Sequence, residues 1–214
     1  MQQARIPVAR EGVPFIGLAG LATLTCAVLS YDLLAVGGLL LTFFITWFFR
    51  DPDRIPPQAA DAIVSPADGK VILIEKVFDE RFVQEHVYKI SIFMNIFNVH
   101  VNRIPHAGVV ESIQYNAGRF HSANTEQGAL YNEHCAVTVR TARHQVYGVV
   151  QVAGLIARRI VCWLDQGDEV KAAQRFGLIR FGSRVDLYLP LQTQVEVRLG
   201  QQVRAGESLI GYLH

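Results

Sequence analysis

The chain has 214 residues, enough for one domain of about 150 residues and an appendage. Half of the residues are hydrophobic, 18% are charged and the net charge is +1, with 17 basic and 17 acidic residues after position 50. Nothing in that balance suggests the basic patch or stripe a nucleic-acid-binding protein needs. Cys26, Cys135 and Cys162 form no C-x-x-C pair and no even framework, so they read as reduced thiols.

Residues 13–49 hold one charge, Asp32. A spanning helix needs about 20 apolar residues, with about 17 as the lower limit. Divided at Tyr31-Asp32, the block gives two short spans joined by a tight turn. Arg5 and Arg10 precede it, and Arg50 and Arg54 follow it. Cationic flanks stay on the cytoplasmic side, so both ends inside requires an even number of crossings. The expectation is a helical hairpin over residues 1–50, anchored in the cell (inner) membrane, with the rest of the chain cytoplasmic. Trp47 suits the interface. A re-entrant or interfacial hairpin stands beside this, because each half is short and holds glycines (Gly17, Gly20, Gly37, Gly38). A cleaved signal peptide fits less well, since its apolar region is only about 7–15 residues.

Residues 51–61 are polar and Pro-rich and read as a linker. Short runs rich in Val, Ile and Tyr follow, at 62–65, 70–77, 87–93, 109–115, 136–141, 146–152, 159–163, 178–181, 184–189 and 194–198. Gly, Pro and Asp separate many of them, the pattern of a mostly β domain over 62–214. Residues 95–101 suggest a short turn, and 79–85 a helical turn or loop. There is an internal echo: Gly167, Val170, Lys171 and Ala172 recur, in order and spacing, as Gly200, Val203, Arg204 and Ala205. Each copy has a strand, a G-x-x-V-[KR]-A turn and another strand, as in the β-sandwich (barrel-sandwich hybrid) of lipoyl and biotinyl carrier domains. A carrier displays a modified Lys at a hairpin tip. None of Lys70, Lys76, Lys89 and Lys171 has that setting, although D-G-K at 68–70 superficially resembles it.

Residues 180–189 alternate like a strand, yet Gly182-Ser183 lies inside the run. One reading is a bulge or a close backbone approach. The other is chemical. A Ser hydroxyl can attack the preceding carbonyl and turn amide into ester, and Gly182, without a Cβ, tolerates strained dihedrals that expose that carbonyl. β-Elimination then leaves dehydroalanine, and hydrolysis gives an N-terminal pyruvoyl group. Such a ketone condenses with amines and accepts electrons as pyridoxal phosphate does.

V-S-P-A-D-G-K-V (64–71), F-N-V-H-V-N-R-I-P (97–105), N-E (132–133) and G-L-I-R-F-G-S-R-V-D-L-Y-L-P (177–190) occur in this order behind the hydrophobic block. Together they resemble the phosphatidylserine decarboxylases, in their short bacterial and archaeal form, over essentially the whole chain. The resemblance implies self-cleavage between Gly182 and Ser183, giving a β chain of 1–182 and an α chain of 183–214 that starts with pyruvoyl. It implies conversion of membrane phosphatidylserine to phosphatidylethanolamine and CO₂ through a Schiff base. It assigns Asp68 to self-cleavage and His100 to proton return, a task that suits imidazole. Their ordinary alternatives are a turn residue and a hydrogen-bonded core histidine. A homodimer is compatible with the family.

Two positions depart from the longer family form. Arg103 stands where that form has a second His in an Asp-His-Ser relay, and Arg stays protonated. Asp68 acting directly or through water, or His121 or His134, are the alternatives for the base. Arg103 is instead a candidate for the substrate phosphate or carboxylate. Ser-Arg at 183–184 replaces Ser-Thr. His86, His106, His144 and His214 have no metal-ligand spacing, and no metal is expected. The competing functions are a membrane-anchored carrier or scaffold without chemistry, and the same chemistry on an ether-lipid serine head group.

Overall fold

The computed structural model describes residues 7–59, 61–118, 132–154, 159–180 and 183–213. The chain divides into two units, Met1–Asp53 and Arg54–His214. The stretch expected as a linker is therefore shared between them.

In the first unit a 3-10 turn, Arg10–Gly12, leads into α1 (Val13–Val28). After Ser30, at φ 59°, comes α2 (Asp32–Phe48). Pro14 falls in the first turn of α1, where its missing N–H has no helical acceptor to lose. The helices pack closely at one point: Thr23 and Thr42 hydroxyls are 3.2 Å apart, and a Cβ on Gly38 would come within 2.6 Å of Thr23 Oγ1. Small residues allow such an approach. Leu33 is 87% and Leu18 70% exposed, a surface that suits lipid. Arg10–Val28 is long and apolar enough to cross a membrane; Asp32–Phe48 has 17 residues, the lower limit. The Arg50 guanidinium lies 4.0 Å from the Trp47 ring centre and donates to Trp47 O, an amphipathic pair of the kind found at the interface.

The second unit is mostly β. Its described strands are β1 (Ala62–Val64), β2 (Gly69–Phe78), β3 (His86–Met94), β4 (Val101–Arg103), β5 (Gly108–Asn116), β6 (His134–Arg140), β7 (Val146–Ala153), β8 (Ile160–Cys162), β9 (Glu169–Val170), β10 (Arg175–Ile179), β11 (Ser183–Pro190), β12 (Gln194–Val195), β13 (Gln202–Val203) and β14 (Leu209–Tyr212). An eight-stranded antiparallel sheet runs β13-β2-β3-β11-β7-β6-β5-β9. The orders β1-β14-β12 and β4-β10-β8 form two three-stranded sheets. Val149, Val185 and Leu187 of the large sheet share one core with Ile63 and Ile210 of the first small sheet and Phe176 and Ile179 of the second. On the other face Val150, Val152 and Tyr188 pack against Phe82 and Val83. Those two residues belong to the 79–85 segment, which is a loop. Asp79 Oδ2 closes it by accepting from Phe82 N–H (2.8 Å) and Val83 N–H (2.7 Å).

The alternating run 180–189 is not one strand. β10 ends at Ile179 in a small sheet, and β11 opens at Ser183 in the middle of the large one. Gly182 lies outside the described residues.

The echo extends to the whole unit. The contiguous series β4 to β10 repeats as β1, β2, β3, β11, β12, β13, β14, with matching registers. Gly108 pairs with Val170 as Gly69 pairs with Val203. The irregularity between Val110 and Ser112 matches that between Val71 and Leu73. Gly177 pairs with Asn102 and Cys162 as Gly211 pairs with Ile63 and Val195. The halves meet where Val149 faces Leu187, so a pseudo-twofold axis passes there. Both turn glycines of the echo have positive φ, 93° at Gly167 and 85° at Gly200, which a side chain would strain.

Leu187 is fully buried beside that axis. Leu187→Ala is expected to cost about 3 kcal/mol of stability, read by thermal unfolding in a Ser183→Ala background.

Candidate active site

Ser183 is the first residue of β11, opposite Met94 of β3 on one side and Ala153 of β7 on the other. Directly opposed residues point to the same face of a sheet. Met94 and Ala153 both belong to the core, so the Ser183 side chain points inward. Ser183 is fully buried, and its Oγ has no hydrogen-bond partner among the described residues. Buried hydroxyls are nearly always paired, and an exception calls for a cause.

Asp68 immediately precedes β2 and is buried. Gly69 must follow it, since a Cβ there would lie 2.2 Å from Phe93 O. The Asp68 carboxylate is fully engaged. Ala205 N–H donates to Oδ1 (2.7 Å) and Arg54 Nη2 to Oδ2 (3.0 Å), while Arg54 Nη1 reaches Glu207 Oε2 (2.9 Å). Arg54, read from sequence only as a cationic flank, is thus the partner of the motif aspartate. The sequence carries no signal for a pairing that spans 153 positions, as Arg54–Glu207 does. Along the sheet, Lys70, Phe93 and Arg184 pair in one row. Gly69 and Ser183 fall in the next row, two strand spacings or about 10 Å apart.

Arg103 is buried on β4, and its Nη1 donates to Ala173 O (2.9 Å). A Cβ on Gly206 would meet the Arg103 Cδ at 2.8 Å. The side chain therefore lies against both turns of the internal repeat, Ala173 and Gly206 being equivalent positions with φ of 63° and 74°. His100 is buried ahead of β4, and its carbonyl accepts from Ile179 N–H (3.3 Å), at the end of the strand that leads toward Ser183.

Asn132 and Glu133 brace the strand beside Ser183. Asn132 Nδ2 donates to Ala153 O (2.7 Å), and Ala153 N–H donates to Glu133 O (2.9 Å). Tyr115 Oη donates to Glu133 Oε1. Burial, then that carboxylate, pushes the Tyr115 hydroxyl up to about 12. His134 pairs with Val152, which pairs with Arg184. Its ring therefore lies on the face away from the Ser183 hydroxyl, against Phe82, and it is not placed as the base. His121 lies outside the described residues. Cys135 and Cys162, distant in sequence, influence each other: the neighbouring thiol lowers Cys162 to about 7, and that neighbour and burial raise Cys135. Among the described residues no three His, Cys, Asp or Glu side chains group to hold a metal.

The sequence pattern of one family, phosphatidylserine decarboxylase, matches residues 41–211. The chain belongs to that family. It is 53% identical over 213 residues to a phosphatidylserine decarboxylase proenzyme of Desulfotalea psychrophila, covering 100% of both chains. It is 49% identical to that of Syntrophus aciditrophicus, over 95% of this chain and 96% of the relative. The corresponding protein of Nitratidesulfovibrio vulgaris is 47% identical, over 98% and 96%. The phosphatidylserine decarboxylase family supplies the enzyme class, a carboxy-lyase formed as a proenzyme. It also agrees with the apolar N-terminal helix, because its substrate is a membrane lipid. A carrier or scaffold without chemistry is thereby set aside.

Arg54→Ala leaves Asp68 buried with a single donor. It is expected to cost about 3 kcal/mol, measured by thermal unfolding in a Ser183→Ala background.

Proposed function

We propose that the chain cuts itself between Gly182 and Ser183, and that the resulting two-chain enzyme converts phosphatidylserine to phosphatidylethanolamine and CO₂ with a pyruvoyl group derived from Ser183. The observation that carries this is the Ser183 hydroxyl, fully buried without a partner among the described residues, at the head of a strand whose two neighbours hold it in place. Such a site fits a serine made for conversion: the oxygen faces the core, and the dry surroundings suit a ketone. A pyruvoyl carbonyl supplies an electrophile that combines with the substrate amine and accepts the electrons released with CO₂.

The remaining residues divide the work around Ser183. Asp68 supports the self-cleavage by fixing Ala205, which belongs to the α chain, against the β chain through its own carboxylate and Arg54. His100 returns a proton to the substrate α-carbon after CO₂ leaves. The Arg103 guanidinium, whose Nη1 donates to Ala173 O, is the cation for the substrate phosphate or carboxylate. The hairpin, by this reading, holds the body at the cytoplasmic face of the inner membrane, where the lipid is drawn from the bilayer. The paired registers of its two halves favour a body of the lipoyl and biotinyl sandwich type.

Intact mass is expected to show chains of 182 and 32 residues, with Ser183 blocked to Edman sequencing; a single uncut chain in an active preparation overturns the proposal. Ser183→Ala abolishes both cleavage and CO₂ release. His100→Ala leaves cleavage largely intact and lowers CO₂ release about 100-fold or more; loss of cleavage would instead reassign its role. Feeding diacyl and ether-linked serine lipids in turn and measuring CO₂ identifies the substrate backbone.

A further inference from the structure

Inside the core, below the cleavage site, lies a chain of polar side chains with no assigned role. Gln151 Nε2 donates to Asn102 Oδ1 (2.8 Å), and Asn102 Nδ2 donates to Met94 Sδ (3.6 Å). Gln151 and Asn102 are both fully buried. Met94 is the residue directly opposite Ser183. Gln151 is two residues from Ala153, which opposes Ser183 on the other side, so all of these side chains share its inward face. Among the described residues the buried Gln151 Oε1 has no partner, and neither has the Ser183 Oγ. A buried acceptor and a buried hydroxyl donor thus sit in adjacent rows of paired strands. Such diagonal neighbours have Cβ atoms about 7–8 Å apart, within reach of a long side chain.

The pseudo-twofold supplies a control within the molecule. Asn102 opposes Gly177 as Ile63 opposes Gly211. Gln151 stands two residues beyond Val149, as Leu189 stands two beyond Leu187, and Val149 faces Leu187 at the axis. In the other half the two positions are therefore Ile63 and Leu189, both buried in the same core. The fold does not require amides here. Only the half that faces Ser183 carries them, against the cost of burying an unpaired acceptor.

We propose that Gln151, oriented by Asn102, is the positioning residue for self-cleavage: its Oε1 accepts the Ser183 Oγ–H and holds the oxygen where it reaches the Gly182 carbonyl carbon. In that step an Oγ–C bond forms, the Gly182 C–N bond breaks, and the hydroxyl proton ends on the Ser183 nitrogen. Amide becomes ester with no co-reactant. This rests on the self-cleavage proposed above, and it concerns only the first step.

The test follows cutting of freshly made full-length proenzyme by intact mass. Wild type is the control: if it stays whole, the self-cleavage reading fails, not the role of Gln151. Gln151→Met, of similar length but with only a weak sulfur acceptor, is expected to slow cutting about 100-fold, the scale for a misplaced reacting group. Asn102→Ile with Gln151→Leu copies the apolar pair of the other half, and is expected to give a chain that melts like Ser183→Ala but stays uncut. Gln151→Glu, whose protonated carboxyl both donates and accepts, is expected to retain cutting within about tenfold of wild type. Hydroxylamine cuts an ester and spares an amide, so it should leave the Gln151→Met chain whole. Cutting of the double variant at the wild-type rate overturns the proposal. So does hydroxylamine cleavage of Gln151→Met, which would put the block after the ester, or a Gln151→Glu chain as slow as Gln151→Met.

Discussion

The ladder on both edges of β11 is the constraint on which the rest depends. A chain cut next to Ser183, as proposed, would keep eight paired positions with β3 and six with β7, so the short product would stay where it was. An edge strand would hold one ladder and fray more readily. The central position also explains the composition of β11. All eight of its residues are buried, because the sheet is covered on both faces, and its alternation separates two interiors in place of core and solvent. Arg184 and Asp186, both on the second face, answer this by pairing with each other at 2.6 Å.

Two contacts make the same join from the other side. Asp68 and Arg54 belong to the longer segment, and Ala205 and Glu207 to the shorter one. The motif aspartate would thus be a bond between the two chains of the proposed cut. Arg103 has an analogous place between the two equivalent turns at Ala173 and Gly206. The relay histidine of the longer family form is replaced by a side chain that braces the repeat.

Much of this was legible in the sequence, for physical reasons. Long strands such as β2, β3, β5 and β7 show in runs of Val and Ile, because each buries at least one face. β9 and β13 have two residues each and no period to detect, yet the G-x-x-V-[KR]-A echo located both turns. Placing Gly182-Ser183 inside one strand failed because apolar runs of two sheets abut there, and alternation carries no mark of a change of sheet. Arg54 was invisible as a partner, since an ion pair across the whole body leaves no local pattern. Gln151 did leave a trace, a lone amide in V-V-Q-V-A, but a solvent-facing strand position reads the same way until the covering sheet is known.

The repeat has a consequence for how the chain is threaded. One half, β4 to β10, is continuous, while the other is assembled from the first three strands and the last four. Its two pieces close on each other: β1 pairs with β14, and Leu213 N–H donates to Asp61 O at 2.9 Å. Topologically the body is a ring opened at one point, where its ends still touch, with the proposed nick at another. Joining the ends and opening the ring at the nick would give a permuted chain in which both halves are contiguous and Ser183 is born as the amino terminus. In the natural order, under the proposed self-cleavage, that terminus would exist only after the protein has folded, which would tie exposure of the reactive residue to completion of the fold around it.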